Sequence, residues 1–368
     1  MDDISVMLRD SAADFLAGRH DRSRLKGSIG KPQLVDRALW REMGELGWLG
    51  LELPESLGGT GMGLRESTVL AEQFGRSAFA APYVASSVMP ASLLSFAGHA
   101  SAAAELSVAL QDGGKVLTLA WQEAVGELGF DAPRTRLQDG RISGLKRFVP
   151  AVECDGLLLV SVRDAAGTAV VVVAADAKGL TIEHQAAGLG SIATLRFDST
   201  PILFDAPLLV GDIVSAALQR ALDAGRIALS AQLEGLASGM LDRTVEYVKG
   251  RVQFGRPIGS FQVIQHRCVD LYIAAQLAGA SWRNALRAYE RGGDAAAAIS
   301  AAKARCADTA QRVGREAIQM HGAMGFTEEA DIGLYVRSGL QAYAWLGTPL
   351  QHRRHFMARA PGAAATHV

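Results

Sequence analysis

The sequence predicts an α+β protein, mainly helical, in which helices come first, a small β domain second and a helical bundle last. Three observations carry this reading. Apolar residues recur at helical spacing before about residue 112 and again after about 210. Between them lie short β-rich runs, "KVLTLAW", "ISGLKRFV", "GLLLVSV", "TAVVVVAA" and "ATLRFD", parted by turn residues. No helical stretch intervenes among those runs, so an antiparallel barrel or sandwich is expected in place of alternating βα units. The expected domains are an N-terminal helical domain (1–114), a middle β domain (115–208) and a C-terminal four-helix bundle (209–368).

In the first segment "ALWREMGELGWLGL" has helical periodicity, "PESLGGTGMG" breaks it with Pro and Gly, and "LRESTVLAEQFGRSAFA" resumes it. The glycines at 58–63 do not make a dinucleotide fingerprint: Leu64 stands where a third glycine is needed, and the stretch lies between helices, so it reads as a loop. In the middle segment Asp139-Gly140 suits a tight hairpin and "RDAAGT" another turn. In the last segment one seam follows a 4-3-4-3 pattern and a second does much the same. One runs Ile264, Cys268, Leu271, Ala275, Ala278, Trp282, Tyr289; the other runs Ile299, Ala302, Cys306, Ala310, Val313, Ala317, Met320. Narrow seams of this kind pack at shallow angles, and the small residues of the second allow close approach.

The chain has 368 residues, 49% of them hydrophobic, with a net charge of −1. That length suits two or three domains with a large core. The balanced charge gives no general basic field for nucleic acid. No apolar run is long enough for a membrane span. The acidic, amphipathic start "MDDISVMLRDSAADFL" fits neither a signal peptide nor a transit peptide, so a cytoplasmic location is expected. Cys154, Cys268 and Cys306 are odd in number and far apart, which makes neither a disulfide framework nor a metal motif. Cys268 and Cys306 sit on the apolar seams and are expected in the core. The tail "APGAAATHV" is expected to fray.

Two segments break the helical pattern of the C-terminal half. "RVQFGRPIGSFQ", 251–262, places two arginines, two aromatics, two glycines and a proline directly after a helix ending near "EYVKG". A guanidinium there suits a pyrophosphate, Phe254 can lie against a purine, and the glycines let backbone approach closely. The bland alternative is a solvated loop whose arginines pair with surface acids. "QMHGAMGFTEEADIGLYVR", 319–337, offers the Gln319 amide and an opened backbone at Gly322 and Gly325. Its bland alternative is a helix C-cap at Gly322 with a new helix starting at Thr327. The cluster "HRRHF" at 352–356 reads as a solvated helix face.

Together these segments resemble the acyl-CoA dehydrogenase family. "YVKGRVQFGRPIGSFQVIQHRCVDL" is similar to its R-x-x-F-G-x-x-I-G-x-F-Q segment, and "AIQMHGAMGFTEEADIGLYVR" to its Q-x-x-G-G-x-G-F segment. "LGWLGLELPESLGGTGMGL" and "VLAEQFGRSAFAAPY" are similar to its N-terminal helical domain. The resemblance spans most of the chain and implies a flavoprotein oxidoreductase of lipid metabolism. It would use FAD and an acyl-CoA substrate, form a homo- or hetero-oligomer, and pass electrons to an electron-transfer flavoprotein. Arg251 corresponds to the arginine at the FAD pyrophosphate and Phe254 to the aromatic beside the adenine. Gln262 lies in the same segment. Gln319 and Gly322 correspond to the segment that a neighbouring subunit contributes, and Thr348 also falls at a cofactor-binding position. In the middle domain the family's T-E-P-G-x-G-S reads "WQEAVGELG", with Gln122 in the flavin-contacting stretch, and its K-x-W-I-T-N reads "KRFVPA". Phe148 can keep the stacking role of the Trp, whereas Pro150 cannot replace the Thr hydroxyl.

The family's reaction removes an α proton from a thioester while the β hydrogen leaves as hydride, and the proton needs a carboxylate. At one of the family's two base positions this chain has Leu346, in "AWLGTP"; at the other, before Arg226 in "LDAGRIALS", it has Gly225. Asp223 is two residues away, about 200° around a helix, and faces the site only if that helix starts irregularly. Three readings follow: a dehydrogenase acting alone with another base, a base-lacking subunit that shares an FAD site with a partner, or a flavin-dependent monooxygenase on the same scaffold.

Overall fold

The computed structural model describes residues 3–19, 21–27, 29–98, 101–129 and 132–359; the tail 360–368, expected to fray, lies outside them. In chain order the helices of the first part are α1 (Asp3–Arg19), α2 (Arg22–Gly27), α3 (Arg37–Glu45), α4 (Leu64–Arg76), α5 (Met89–Leu94) and α6 (Ser101–Gln111). The strands are β1 (Leu117–Ala120), β2 (Arg136–Gln138), β3 (Arg141–Pro150), β4 (Leu157–Arg163), β5 (Thr168–Ala174), β6 (Leu180–Ala187), β7 (Gly190–Pro201) and β8 (Leu209–Val210). The long α7 (Ile213–Gly250) follows, then a hairpin of β9 (Val252–Gln253) and β10 (Arg256–Pro257), then α8 (Gln262–Glu290), α9 (Ala296–His321), α10 (Ile332–Ala344) and α11 (Pro349–Arg359). They fall into two compact units: residues 30–67 with 81–225, and residues 1–29 with 68–80 and 226–368.

The first of these units holds the sheet. β4 and β5 read as near-continuous Val/Leu runs because their central residues are covered on both faces; Leu158 through Val160 and Val170 through Val173 are all buried. The sheet runs β6-β7-β3-β2-β4-β5-β8, with β1 added on β4. The expected barrel or sandwich is corrected here: the sheet is mixed and does not close. β1 and one residue of β2 pair parallel to β4. Parallel neighbours need a long connection, and the β2–β3 hairpin region between β1 and β4 supplies it. That hairpin turns at Asp139-Gly140 with φ of 50° and 69°, the left-handed pair such a tight turn requires. β6 escapes the sequence reading because "LTIEHQAA" is a mostly exposed edge strand with no buried alternation to betray it. Asp36 starts α3 by accepting from the Ala38 and Leu39 amides at 3.2 Å. A π-helical turn at Val84–Val88, wholly buried, was not anticipated.

The other unit is the bundle. All seven residues of the α9 seam are buried, as are Leu271, Ala275, Ala278, Trp282 and Tyr289 on α8. Ile264 and Cys268 at the start of α8 are half-buried, so of the two seam cysteines Cys306 alone is fully enclosed. α4 and α7 cross in this unit at backbone contact. A Cβ on Gly75 would lie 2.1 Å from the Gln232 carbonyl oxygen, and one on Gly235 would lie 2.1 Å from that of Glu72. Gly235→Ala is therefore expected to force the helices apart and cost roughly 1–2 kcal/mol, read as a lower urea midpoint at unchanged slope.

Two expectations need correction. After Gly322 the chain makes a 3₁₀ turn (Gly322–Phe326), and the next helix starts at Ile332, not Thr327. Thr327 instead closes that turn, its hydroxyl donating to the Met324 carbonyl. His352 of "HRRHF" points inward and is fully buried, because α11 lays one face on α9; Arg353 and Arg354 remain exposed.

Candidate functional site

The segment after α7 forms a two-residue hairpin loop in which Phe254 and Gly255 have φ of 53° and 76°. Such a turn favours Asn-Gly; a bulky aromatic at positive φ is strained and persists where surroundings or function demand it. Phe254 is 92% exposed, with its ring edge-on to Phe261 at 6.2 Å. Arg256 stacks over Phe261 at 4.1 Å. Arg251 is exposed at the end of α7, its N–H donating to the Tyr247 carbonyl and its carbonyl accepting from Ile258. Among the described residues no carboxylate pairs with Arg251. Gln262 is exposed at the first turn of α8.

The second motif segment comes close to the first through one aromatic stack. Tyr247 on α7 lies 4.2 Å from the His321 ring at an interplanar angle of 20°, and its hydroxyl donates to the His321 carbonyl. Burial lowers the His321 pKa, opposed by its contact with the Ala317 carbonyl, which favours a neutral ring. Gln319 is exposed in the last turn of α9. Gly322 ends α9 at φ 61°, ψ −138°, a conformation close to those only glycine adopts freely.

Gln122 and Phe148 belong to the sheet-bearing unit. Gln122 donates from Nε2 to the Ala124 carbonyl, and its own backbone carbonyl accepts from the Arg147 N–H. Phe148 sits in a bulge of β3, where pairing with β7 shifts register between Lys146 and Val149, and has φ 56°. The neighbouring Lys146–Glu123 pair, which the sequence reading did not single out, fixes this loop. Lys146 Nζ donates to Glu123 at 2.7 Å, to Ser161 at 3.0 Å and to the Trp121 carbonyl at 3.3 Å. Glu123 also accepts from the Arg134 and Thr135 amides and the Thr135 hydroxyl. Burial alone would raise the Glu123 pKa, but Lys146 and those amides outweigh it and hold the carboxyl below its ordinary value. Burial lowers Lys146 to about 8 against the pull of Glu123.

Neither base position carries a carboxylate. Gly225 is buried within the regular α7, and Asp223 is half-buried there, accepting from Gln219 at 2.9 Å; the irregular helix start that would turn Asp223 toward a site is absent. Leu346 occupies the α10–α11 turn at φ 57° and is 4% exposed. A leucine at positive φ costs of order 1–3 kcal/mol, so this turn is held by its surroundings. Thr348 starts α11 in a reciprocal cap: its N–H and hydroxyl donate to Gln351 Oε1, and the Gln351 N–H returns to Thr348 Oγ1. No group of His, Cys, Asp and Glu suited to a metal occurs among the described residues. No helix among them is long and apolar enough to cross a membrane.

A helical N-terminal region, a mixed sheet and a helical bundle bearing an exposed aromatic–arginine hairpin define a flavoprotein dehydrogenase scaffold. Comparison with known proteins agrees. The acyl-CoA dehydrogenase N-terminal domain profile matches residues 3–108 and the C-terminal domain profile residues 215–360. Acyl-CoA dehydrogenase FadE27 of Mycobacterium tuberculosis is 30% identical over 86% of this chain and 86% of its own length. Among solved structures, a variant of the Tcur3481-Tcur3483 steroid ACAD is 31% identical with a TM-score of 0.84, covering 96% of each chain. The ChsE4-ChsE5 complex from Mycobacterium tuberculosis is 25% identical with a TM-score of 0.84, covering 98% of this chain and 99% of that one. The chain belongs to the acyl-CoA dehydrogenase family, flavoprotein oxidoreductases that act on CH–CH bonds.

Proposed function

We propose that the chain is an FAD-binding subunit of an acyl-CoA dehydrogenase that works with a partner subunit carrying the proton-abstracting carboxylate. The observation that supports this most directly is that Leu346 and Gly225 fill both base positions. The likeness to the Tcur3481-Tcur3483 steroid ACAD and to the ChsE4-ChsE5 complex, each named for two components, adds weight, and the first of them suggests a bulky, steroid-like acyl group. The exposed apolar side chains of the bundle are a further support: Val269, Tyr272, Ile273 and Leu277 recur at helical spacing on α8 and leave a face that subunit contact would cover, and Phe254 and Phe326 are exposed as well.

The residues present fit FAD. Arg251 has its guanidinium free for a diphosphate, Phe254 presents a flat apolar face for a purine, and Gln319 and Gly322 offer an amide and an opened backbone. Phe148, strained in its bulge, is the stacking candidate for the flavin ring, in a loop that Glu123 and Lys146 hold rigid. When bound, the flavin supplies a two-electron acceptor for the β hydride. This chain's residues bind and orient; the α proton goes to the partner's carboxylate. Electrons would then pass to an electron-transfer flavoprotein.

The reading is tested by purifying the chain alone and with the product of the neighbouring gene. Alone it should reduce ferrocenium weakly or not at all with acyl-CoAs, and co-expression should raise both flavin content and turnover. Robust turnover by the isolated homo-oligomer would remove the partner from the proposal. Within the complex, Phe254→Ala is expected to weaken FAD retention about tenfold through lost stacking, read as flavin released on dilution.

A further inference from the structure

The α10–α11 turn is gripped from inside by side chains that neither the base positions nor the cofactor motifs include. Lys303, about two turns into α9 and fully buried, donates from Nζ to the carbonyls of Ala342 at 3.1 Å, Tyr343 at 3.1 Å and Gly347 at 3.0 Å. Two of these are among the last carbonyls of α10, which have no partner within the helix. The third lies just past Leu346. A single ammonium, whose three donors are all used, thus ties the end of α10 to the start of α11.

A second grip comes from α11. His352 Nε2 lies 2.9 Å from the Leu346 carbonyl and therefore donates to it, which leaves Nδ1 as the acceptor for Ser300 Oγ at 3.3 Å. Ser300 Oγ in turn lies 2.8 Å from His355 Nδ1, and His355 Nε2 accepts from Arg359. The chain Arg359–His355–Ser300–His352–Leu346 thus has one direction of donation, set by an arginine at one end and a carbonyl at the other. Burial, with Lys303 and Arg226 nearby, lowers the His352 pKa to about 3, so the ring is the neutral donor this arrangement needs.

We propose that Lys303 and His352 are the positioning pair of this turn, fixing the left-handed conformation at residue 346 whatever side chain stands there. Leucine has no polar group with which to hold itself at positive φ, so the backbone must be held by others. Leu346 is then presented in a preset shape, an apolar residue on a turn built to keep one fixed orientation. The proposal rests on the reading above only for the ligand that the turn would face.

The test is amide hydrogen exchange on the purified full chain. Gly347 donates to the Ala344 carbonyl and Thr348 to Gln351, so both amides report the turn directly. Lys303→Met and His352→Leu should each speed exchange at 346–348 at least tenfold while protection in the middle of α8 stays unchanged. His352→Gln, whose amide can still donate to the Leu346 carbonyl, should restore protection to within a fewfold of the parent. Because Lys303→Met leaves three carbonyls unsatisfied and can unfold the bundle, the His352→Leu and His352→Gln pair carries the decision in that event. Unchanged exchange at 346–348 in a folded His352→Leu chain, or no difference between the Leu and Gln variants, would overturn the proposal. Failure of the parent chain and its complex to retain flavin would instead remove the functional reading and leave the exchange result standing.

Discussion

Leu346→Glu is expected to give the chain a base of its own and raise its ferrocenium-coupled turnover of acyl-CoA by about 10²–10⁴-fold, the usual contribution of a placed general base. The turn is already shaped for it: position 346 holds φ 57°, and Lys303 and His352 satisfy the carbonyls around it. A carboxyl at a position only 4% exposed would tend to hold its proton. Arg226, whose charge already acts on His352, pulls the other way and favours the ionised form; Lys303 helps less, because burial lowers its own pKa to about 7. The measurement is made on the flavin-loaded complex and on the chain alone, with Leu346→Gln as the neutral control. A rise confined to the Glu variant, with a pH profile rising through one acidic group, is the expected result. If Leu346→Glu binds flavin as well as the parent yet shows no gain over Leu346→Gln, this turn does not face the reacting carbon.

The order of elements was legible because each segment carries its own period. β4 and β5 are covered on both faces and read as unbroken Val and Leu; the α9 seam repeats every three or four residues over most of its length. β6 was hidden because an exposed edge strand such as "LTIEHQAA" leaves no apolar mark. The parallel pairing of β1 with β4 was hidden because register across a long connection is a tertiary fact with no local signal. Motif residues such as Arg251 and Phe254 stood out by breaking a helical pattern. Lys303 did not: one lysine in "ISAAKARCAD" looks like any exposed cation, and only the positions of three distant carbonyls give it a role. His352 was masked by its arginine neighbours, although its spacing from Pro349 puts it one turn into α11 on the inward face. Glu123 stands in the stretch that resembles the family's flavin-contacting segment, but its partner Lys146 comes from β3, and the pairing depends on the sheet.

Glu52 is the other site where one atom should matter most. It lies between Leu51 and Leu53, and although the residue keeps some exposure, its Oε1 is sealed with no hydrogen-bond partner. Burial raises its pKa from 4.5 to about 8; the Ser67 hydrogen bond and the Arg220 charge oppose this, and the Glu66 charge adds to it. Tyr83, buried beside them, donates to the Trp48 carbonyl and adds no cation. The folded chain therefore binds this proton more tightly than the unfolded one. The stability that Glu52 contributes is therefore fully present below pH 4.5, is lost between 4.5 and 8 while the unfolded chain alone ionises, and changes no further above 8. Glu52→Gln keeps the shape and removes the titration. Relative to the parent its stability should climb with pH across that window, reaching a difference of about 3 kcal/mol at pH 7. Urea denaturation of both proteins at pH 5, 7 and 9 reads the difference directly. A gap that does not change with pH would mean that Glu52 ionises as easily folded as unfolded, and that the Ser67, Arg220 and Glu66 cluster does not hold a neutral acid.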